Sequence, residues 1–168
     1  IKAADEAVSQ ADITLIQGND SLALAQYKQV ADEYGYEAGN RAALQTAILY
    51  YKKKDYKQAL EYVKKYDQKE TVVGAASLAL EGDCYVNLGQ LDDALAAFKK
   101  AVKASDNNPL YTPLFLIKEA NVLRAQNKTE EELKVYETIQ NDYPEFGPAY
   151  NYDIQKYIER CKAQLGQD

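Results

Sequence analysis

The chain has 168 residues, the length of one ordinary domain or of a short array of repeats, which excludes a large multidomain protein. It carries 26 Asp and Glu residues against 20 Lys and Arg, and this net charge of −6 argues against nonspecific nucleic-acid binding. With only 8 Gly and 4 Pro to form turns, and no His to act as general base or metal ligand, we predict an all-α chain without catalysis.

The first predicted helical hairpin covers residues 4–37, where the small and apolar residues that bring two helices together recur at helical spacing. Its pattern residues are Ala11, Gly18, Ala23 and Tyr27. Gly35 and Tyr36 are expected to end its second helix. A second hairpin is predicted over 40–73, with Lys54 in place of the turn glycine. Its pattern residues are Ala47, Tyr50, Tyr56 and Ala59.

The third predicted hairpin, over 75–108, shows the pattern most completely. Its landmarks are Gly82, Tyr85, Gly89, Leu91, Ala94, Phe98 and Ala101. Small residues at Gly82 and Ala94 allow the two helix backbones to approach, and Phe98 fills the space beside the contact. Gly89 permits the sharp turn between the helices.

The fourth predicted hairpin covers 113–146, and the prolines before it place its start at Thr112 or Pro113. Glu132 stands where the pattern needs a small alanine, so we expect looser packing here. Its pattern residues are Ala120, Leu123, Asn127, Tyr136 and Pro144. An amphipathic ninth helix over 150–166 is expected to cap the array, because the last repeat otherwise leaves its apolar face in water.

This spacing resembles the tetratricopeptide repeat, in which a Leu-Gly pair, a Tyr, an Ala and an aromatic residue recur in that order over about 34 residues. The resemblance implies a right-handed α-solenoid of about four helical hairpins with a C-terminal capping helix. Since no linker interrupts the array, we predict one domain over residues 1–168.

Several phrases also resemble the YfgM-like tetratricopeptide proteins. They are Tyr34-Gly35, Gly82-Asp83-Cys84-Tyr85, Tyr143-Pro144 and the segments 111–118 and 154–158. This resemblance implies a membrane anchor before Ile1 and a soluble domain at the periplasmic face of the cytoplasmic membrane. It also implies association with the secretion translocon and with envelope chaperones.

In arrays of this type the first helix of each hairpin lines a concave groove, so its residues that point away from the partner helix are candidates for ligand contact. The candidates are Gln45, Tyr51, Lys52, Asp83, Asn87, Lys118, Asn121 and Arg124. Tyr51 offers an aromatic platform, and Lys118 with Arg124 offers donors for a carboxylate on an extended or helical peptide. The alternative is that these are only solvated polar positions. The pattern of clamp-type repeats is not reproduced, because Asp83 stands where a further cation is needed.

Other charged and reactive residues have simpler explanations. Asp92-Asp93 and Glu130-Glu131-Glu132 begin second helices, where carboxylates complement the helix dipole. Lys52-Lys53-Lys54 is a solvated helix end, too short for a nucleic-acid patch. Cys84 and Cys161 form no metal-ligand or disulfide motif. We therefore predict no enzyme, no metal and no cofactor.

The sequence thus predicts a non-catalytic scaffold that binds protein or peptide segments in its groove, as an envelope chaperone or a translocon accessory protein. The alternative is an oligomerisation or assembly module that uses convex or terminal faces, such as an outer-membrane assembly lipoprotein with a lipidated cysteine upstream of Ile1. Membrane contact is expected only through an N-terminal anchor, and a homo-oligomer is compatible with the pattern.

Overall fold

The computed structural model describes residues 1–67 and 71–167, and these residues contain ten α-helices. They are α1 (Lys2–Ile16), α2 (Asp20–Glu33), α3 (Tyr36–Lys52), α4 (Tyr56–Lys65), α5 (Val72–Asn87), α6 (Leu91–Ala104), α7 (Tyr111–Ala125), α8 (Thr129–Asp142), α9 (Phe146–Tyr150) and α10 (Ile154–Gln164). Helices α1 to α8 form four successive hairpins, and each packs mainly on the helices next to it in the chain. The predicted all-α solenoid is confirmed.

The turns inside the four hairpins share one backbone geometry. Each has a residue of positive φ just past the first helix, at Gly18, Lys54, Gly89 and Asn127. The next residue's N–H in each turn bonds back to a carbonyl five residues earlier, the bond that closes a Schellman motif. These bonds run from Asn19 to Thr14, Asp55 to Tyr50, Gln90 to Tyr85 and Lys128 to Leu123. The same turn therefore recurs in all four hairpins, although glycine occupies the positive-φ position in only two of them.

The close helix contact predicted for the third hairpin is present between α5 and α6. A Cβ added at Gly82 would lie 2.4 Å from the Phe98 ring, so the ring occupies the space that any larger residue at position 82 needs. Ala94 and Phe98 are buried in one cluster with Leu123 of α7, and Tyr85 packs against it. The small residue and the aromatic ring thus set how closely the two helices approach.

The C-terminal end differs from the predicted single helix over 150–166. The short helix α9 ends at Tyr150, and Asn151 then adopts a left-handed conformation with φ 60°. Helix α10, the tenth helix and not the ninth, begins at Ile154, where the Asp153 side chain accepts a hydrogen bond from Lys156 N at 3.1 Å. The start of α7 also differs, since that helix begins at Tyr111.

The two helices of the fourth hairpin contact each other less than those of the other three, as expected, and Glu132 packs against α10. The Glu132 side chain is only 1% exposed, and Arg160 Nη2 of α10 donates to its Oε2 at 2.8 Å. The Arg160 guanidinium also lies 5.3 Å from the Tyr157 ring centroid. Glu132 lies in the first turn of α8, where a carboxylate complements the helix dipole. It also forms an ion pair that joins α8 to α10.

Candidate functional site

The structure places the eight candidate residues on three first helices that lie along one side of the array. We call this surface the first-helix face, formed by Gln45, Tyr51 and Lys52 of α3, Asp83 and Asn87 of α5, and Lys118, Asn121 and Arg124 of α7. Direct contacts join α1 to α3 and α3 to α5, and side-chain bonds join α5 to its neighbours on both sides. The face is therefore continuous across hairpins.

Tyr51 and Asn87 connect α3 to α5. Asn87 Nδ2 donates to the Tyr51 hydroxyl at 3.2 Å and to the carbonyl of Asp83 at 2.9 Å. The Tyr51 ring meets Tyr56 edge to face, with centroids 5.3 Å apart. Burial raises the pKa of the Tyr51 hydroxyl, and the Asp83 carboxylate adds to this effect. Tyr51 is thus a half-buried residue whose hydroxyl and ring both contact neighbouring side chains.

Asp83 and Lys118 connect α5 to α7. Lys118 Nζ donates to Asp83 Oδ1 at 2.8 Å, and it also lies 5.7 Å from the Phe98 ring centroid. The sequence analysis treated Lys118 as a donor available to a ligand carboxylate. The two charges are instead paired directly, so a ligand carboxylate at Lys118 competes with Asp83 or bonds to the remaining ammonium hydrogens.

The other candidates differ in accessibility. Lys52, Asn121 and Arg124 are exposed, while Gln45 is half-buried on α3. Lys52 and Arg124 lie in the last turns of α3 and α7. Both are thus near the edge of the first-helix face where the hairpin turns begin.

Sequence reasoning missed a further link between first helices. Asp12 of α1 accepts hydrogen bonds from Arg41 of α3 and from the Tyr27 hydroxyl of α2. The repeat offered a signal, because Asp12 and Asp83 each follow the small packing residue of their hairpin. Val86, 40% exposed on α5, was missed as well.

The structure shows neither a metal cluster nor a membrane-crossing element in the part of the chain that it describes. Over residues 1–67 and 71–167, no three His, Cys, Asp or Glu side chains come together as metal ligands. Within the same ranges, no helix has both the length and the apolar character needed to cross a bilayer.

Comparison with solved structures shows the same fold in other proteins. MamA superposes with a TM-score of 0.74 at 18% identity, over 98% of this chain and 83% of MamA. YrrB, a TPR protein with an unusual peptide-binding site, gives 0.71 at 17% identity, over 99% of this chain and 83% of YrrB. The C-terminal part of a TPR repeat-containing protein from Cytophaga hutchinsonii gives 0.78 at 19% identity, over 98% of this chain and 63% of that one.

Sequence comparison gives the family. No curated protein matches the chain. The model of the tetratricopeptide repeat-like domain matches residues 2–123, which include the first three hairpins and most of α7. The chain belongs to the tetratricopeptide repeat-like domain family.

Proposed function

We propose that this chain is a non-catalytic interaction scaffold that binds an extended or helical peptide segment of a partner protein on its first-helix face. The observation that carries the proposal is the run of bonded side chains from Tyr51 through Asn87 and Asp83 to Lys118. These contacts fix polar groups on three helices before a ligand arrives, which lowers the entropic cost of binding.

The groups on this face suit a peptide. The exposed part of Tyr51 packs against an apolar ligand side chain, and the exposed Asn121 amide bonds to peptide N–H and C=O groups. Lys118 and Arg124 supply donors for ligand carboxylates. YrrB, which has a similar fold, has a peptide-binding site, and this supports peptides as the type of ligand.

For the full-length protein, the proposed setting is the periplasmic face of the cytoplasmic membrane, with clients among secreted chains or translocon subunits. The support is the resemblance to YfgM-like proteins carried by the phrases at 82–85, 111–118 and 154–158. In this setting the array holds partner segments reversibly, without turnover.

A photocrosslinking amino acid at position 121 of the full-length protein, expressed in its native cells, tests the proposal. We expect covalent adducts with specific envelope proteins, identified by mass spectrometry, that disappear in the Tyr51→Ala, Lys118→Ala, Arg124→Ala variant. The same probe at exposed Lys100 on α6 is the positional control, and circular dichroism checks that the variant folds.

Two results would contradict the proposal. Identical adducts in the wild type and the triple variant would show that another face binds the partners. Adducts containing only copies of the chain itself would favour the oligomeric assembly module.

A further inference from the structure

Exposed cations gather where the first-helix face meets the hairpin turns. They are Lys52, Lys53 and Lys54 after α3, and Arg124 and Lys128 around the end of α7. We call these five residues the cationic rim. Within residues 1–67 and 71–167, none of them forms a salt bridge. Two groups of exposed cations thus lie at the hairpin turns of a chain whose net charge is −6.

Helix dipoles explain only part of this rim. A cation in the last turn of a helix complements the dipole, and Lys52 and Arg124 occupy such positions. Lys53 is the C-cap of α3 and Lys54 follows it, so both also lie near the free carbonyls of that helix end, whereas Lys128 is the N-cap of α8, where the dipole disfavours a cation. Lys54 also has φ 63°, a conformation that favours glycine, so the charge is present at a position where it costs backbone energy.

The carboxylates near the rim either bond to other groups or lie at the N-termini of helices. Asp83 is paired with Lys118, and Asp12 is paired with Arg41. Asp55 accepts the hydrogen bond that caps α4, from Gln58 N at 3.2 Å. The remaining acidic residues near the turns lie in the first turns of α2, α6 and α8, where they complement helix N-termini. Among the residues that the structure describes, no carboxylate is paired with a cation of the rim.

One exposed apolar side chain lies between the two cationic ends. Helix α5 contacts α3 and α4 and is joined to α7 by the Asp83–Lys118 bond, and it presents Val86 with 40% of its surface exposed. Tyr51 reaches α5 through its bond with Asn87. Neighbouring helix axes are about 10 Å apart, so α3 and α7 are separated by about 20 Å. An extended peptide covers that distance with about six residues.

We propose that the cationic rim binds an extended acidic segment of a partner protein, with carboxylates at both ends and an apolar residue between them. One acidic end lies on Lys52 to Lys54, the apolar side chain covers Val86, and the other end meets Arg124 and Lys128. This inference rests on the proposed function, because it specifies the partner of the same face. The charge complementarity favours an acidic peptide over a basic or purely apolar one.

The probe is a fluorescent peptide of about nine residues, long enough to span both ends, with two glutamates at each end and a central leucine. Its affinity for the purified chain is measured by fluorescence anisotropy at low salt and at about 0.5 M salt, where exposed charges are screened. We expect Lys52→Glu with Arg124→Glu to weaken binding by about tenfold or more. Lys100→Glu with Lys103→Glu on α6 makes the same charge change on an exposed surface elsewhere, and it is the matched control.

Two control peptides define specificity. A peptide with lysine for every glutamate is expected not to bind, and one with serine for the central leucine is expected to bind severalfold more weakly. Equal affinity for the acidic and basic peptides, or equal losses in the rim and α6 variants, overturns the proposal. Rim-dependent sedimentation with anionic phospholipid vesicles, without binding of the acidic peptide, also overturns it and assigns the rim to a membrane surface.

The two proposals fail in different ways. If the probe at position 121 captures partners while acidic peptides show no preference for the rim, the first-helix face binds peptides but the acidic specificity is wrong. If neither experiment detects binding, the proposed function itself is wrong.

Discussion

Asp83 and Lys118, 35 residues apart in sequence, join α5 to α7 by an ion pair of 2.8 Å. The Asp83 side chain is 27% exposed and that of Lys118 is 38% exposed, so water screens the pair only in part. The pair links the third and fourth hairpins on the first-helix face, and it sets the position of the amine that a ligand would meet.

Asp83→Asn is expected to lower the free energy of unfolding by at most about 1 kcal/mol, because the pair is partly exposed. The exchange variant Asp83→Lys with Lys118→Asp is expected to recover most of that loss. Urea denaturation at low and high salt measures both. If the exchange variant is less stable than Asp83→Lys alone or Lys118→Asp alone, the interaction is not mainly one of charge.

Lys54→Gly is expected to stabilise the chain by about 1 kcal/mol, because a left-handed backbone costs a residue with a side chain roughly that much. Lys53→Gly is the matched control, since Lys53 is also exposed but has φ −77°, where glycine brings no relief. Thermal unfolding of the two variants side by side tests the prediction. Equal destabilisation of both would show that the turn at position 54 is not strained.

Arg160→Ala is expected to destabilise the chain by about 3 kcal/mol, because it leaves the Glu132 carboxylate buried without its partner. Adding Glu132→Ala is expected to restore much of the loss, since alanine occupies the corresponding positions 23, 59 and 94 of the other hairpins. Denaturant unfolding compares the stabilities, and hydrogen exchange locates the loss in α10. A double variant no more stable than Arg160→Ala would assign the effect to lost packing of the arginine side chain.

Glu119→Gln is expected to stabilise the chain at pH 7. Burial raises the pKa of Glu119 from 4.5, and the charge of Lys99 offsets part of that rise. The folded state therefore holds the proton more tightly than the unfolded state, and stability falls as pH rises from about 4.5 through the raised pKa. Above this pH range Glu119→Gln is expected to give its full gain in stability, and the gain is expected to decrease as the pH falls through the range. Melting temperatures from about pH 4 to pH 8, a range that begins near the ordinary carboxyl pKa, test this. Glu33→Gln is the matched control for the same substitution at an exposed position.

The repeat spacing predicted the hairpins because their contacts are local. Gly82 and Phe98 lie in adjacent helices, so their fit can be read from one segment of the sequence. The partner of Glu132 could not be read in this way, because Arg160 belongs to a later helix whose register on α8 depends on packing. The left-handed Asn151 that separates α9 from α10 leaves the amphipathic pattern around it unchanged.

For the candidate site too, the sequence predicted which residues lie on the face but not how they bond to each other. Helical periodicity indicated that Tyr51, Asp83 and Lys118 lie on first helices, and the structure places them on one continuous face. That Lys118 Nζ reaches Asp83 depends on how neighbouring hairpins are rotated against each other, which the period alone does not determine. Which charges of the face form ion pairs, as Asp83 and Lys118 do, was therefore accessible only from the structure.

The buried pair of Glu132 and Arg160 also makes the contact between α8 and α10 different from the contacts between the earlier hairpins. The first three hairpins have a buried alanine at the position of Glu132, whereas the fourth has a buried carboxylate that pairs with a cation of α10. A further hairpin inserted between α8 and α10 would have to supply that cation itself. The fourth hairpin therefore selects the helix that packs on it by charge as well as by shape.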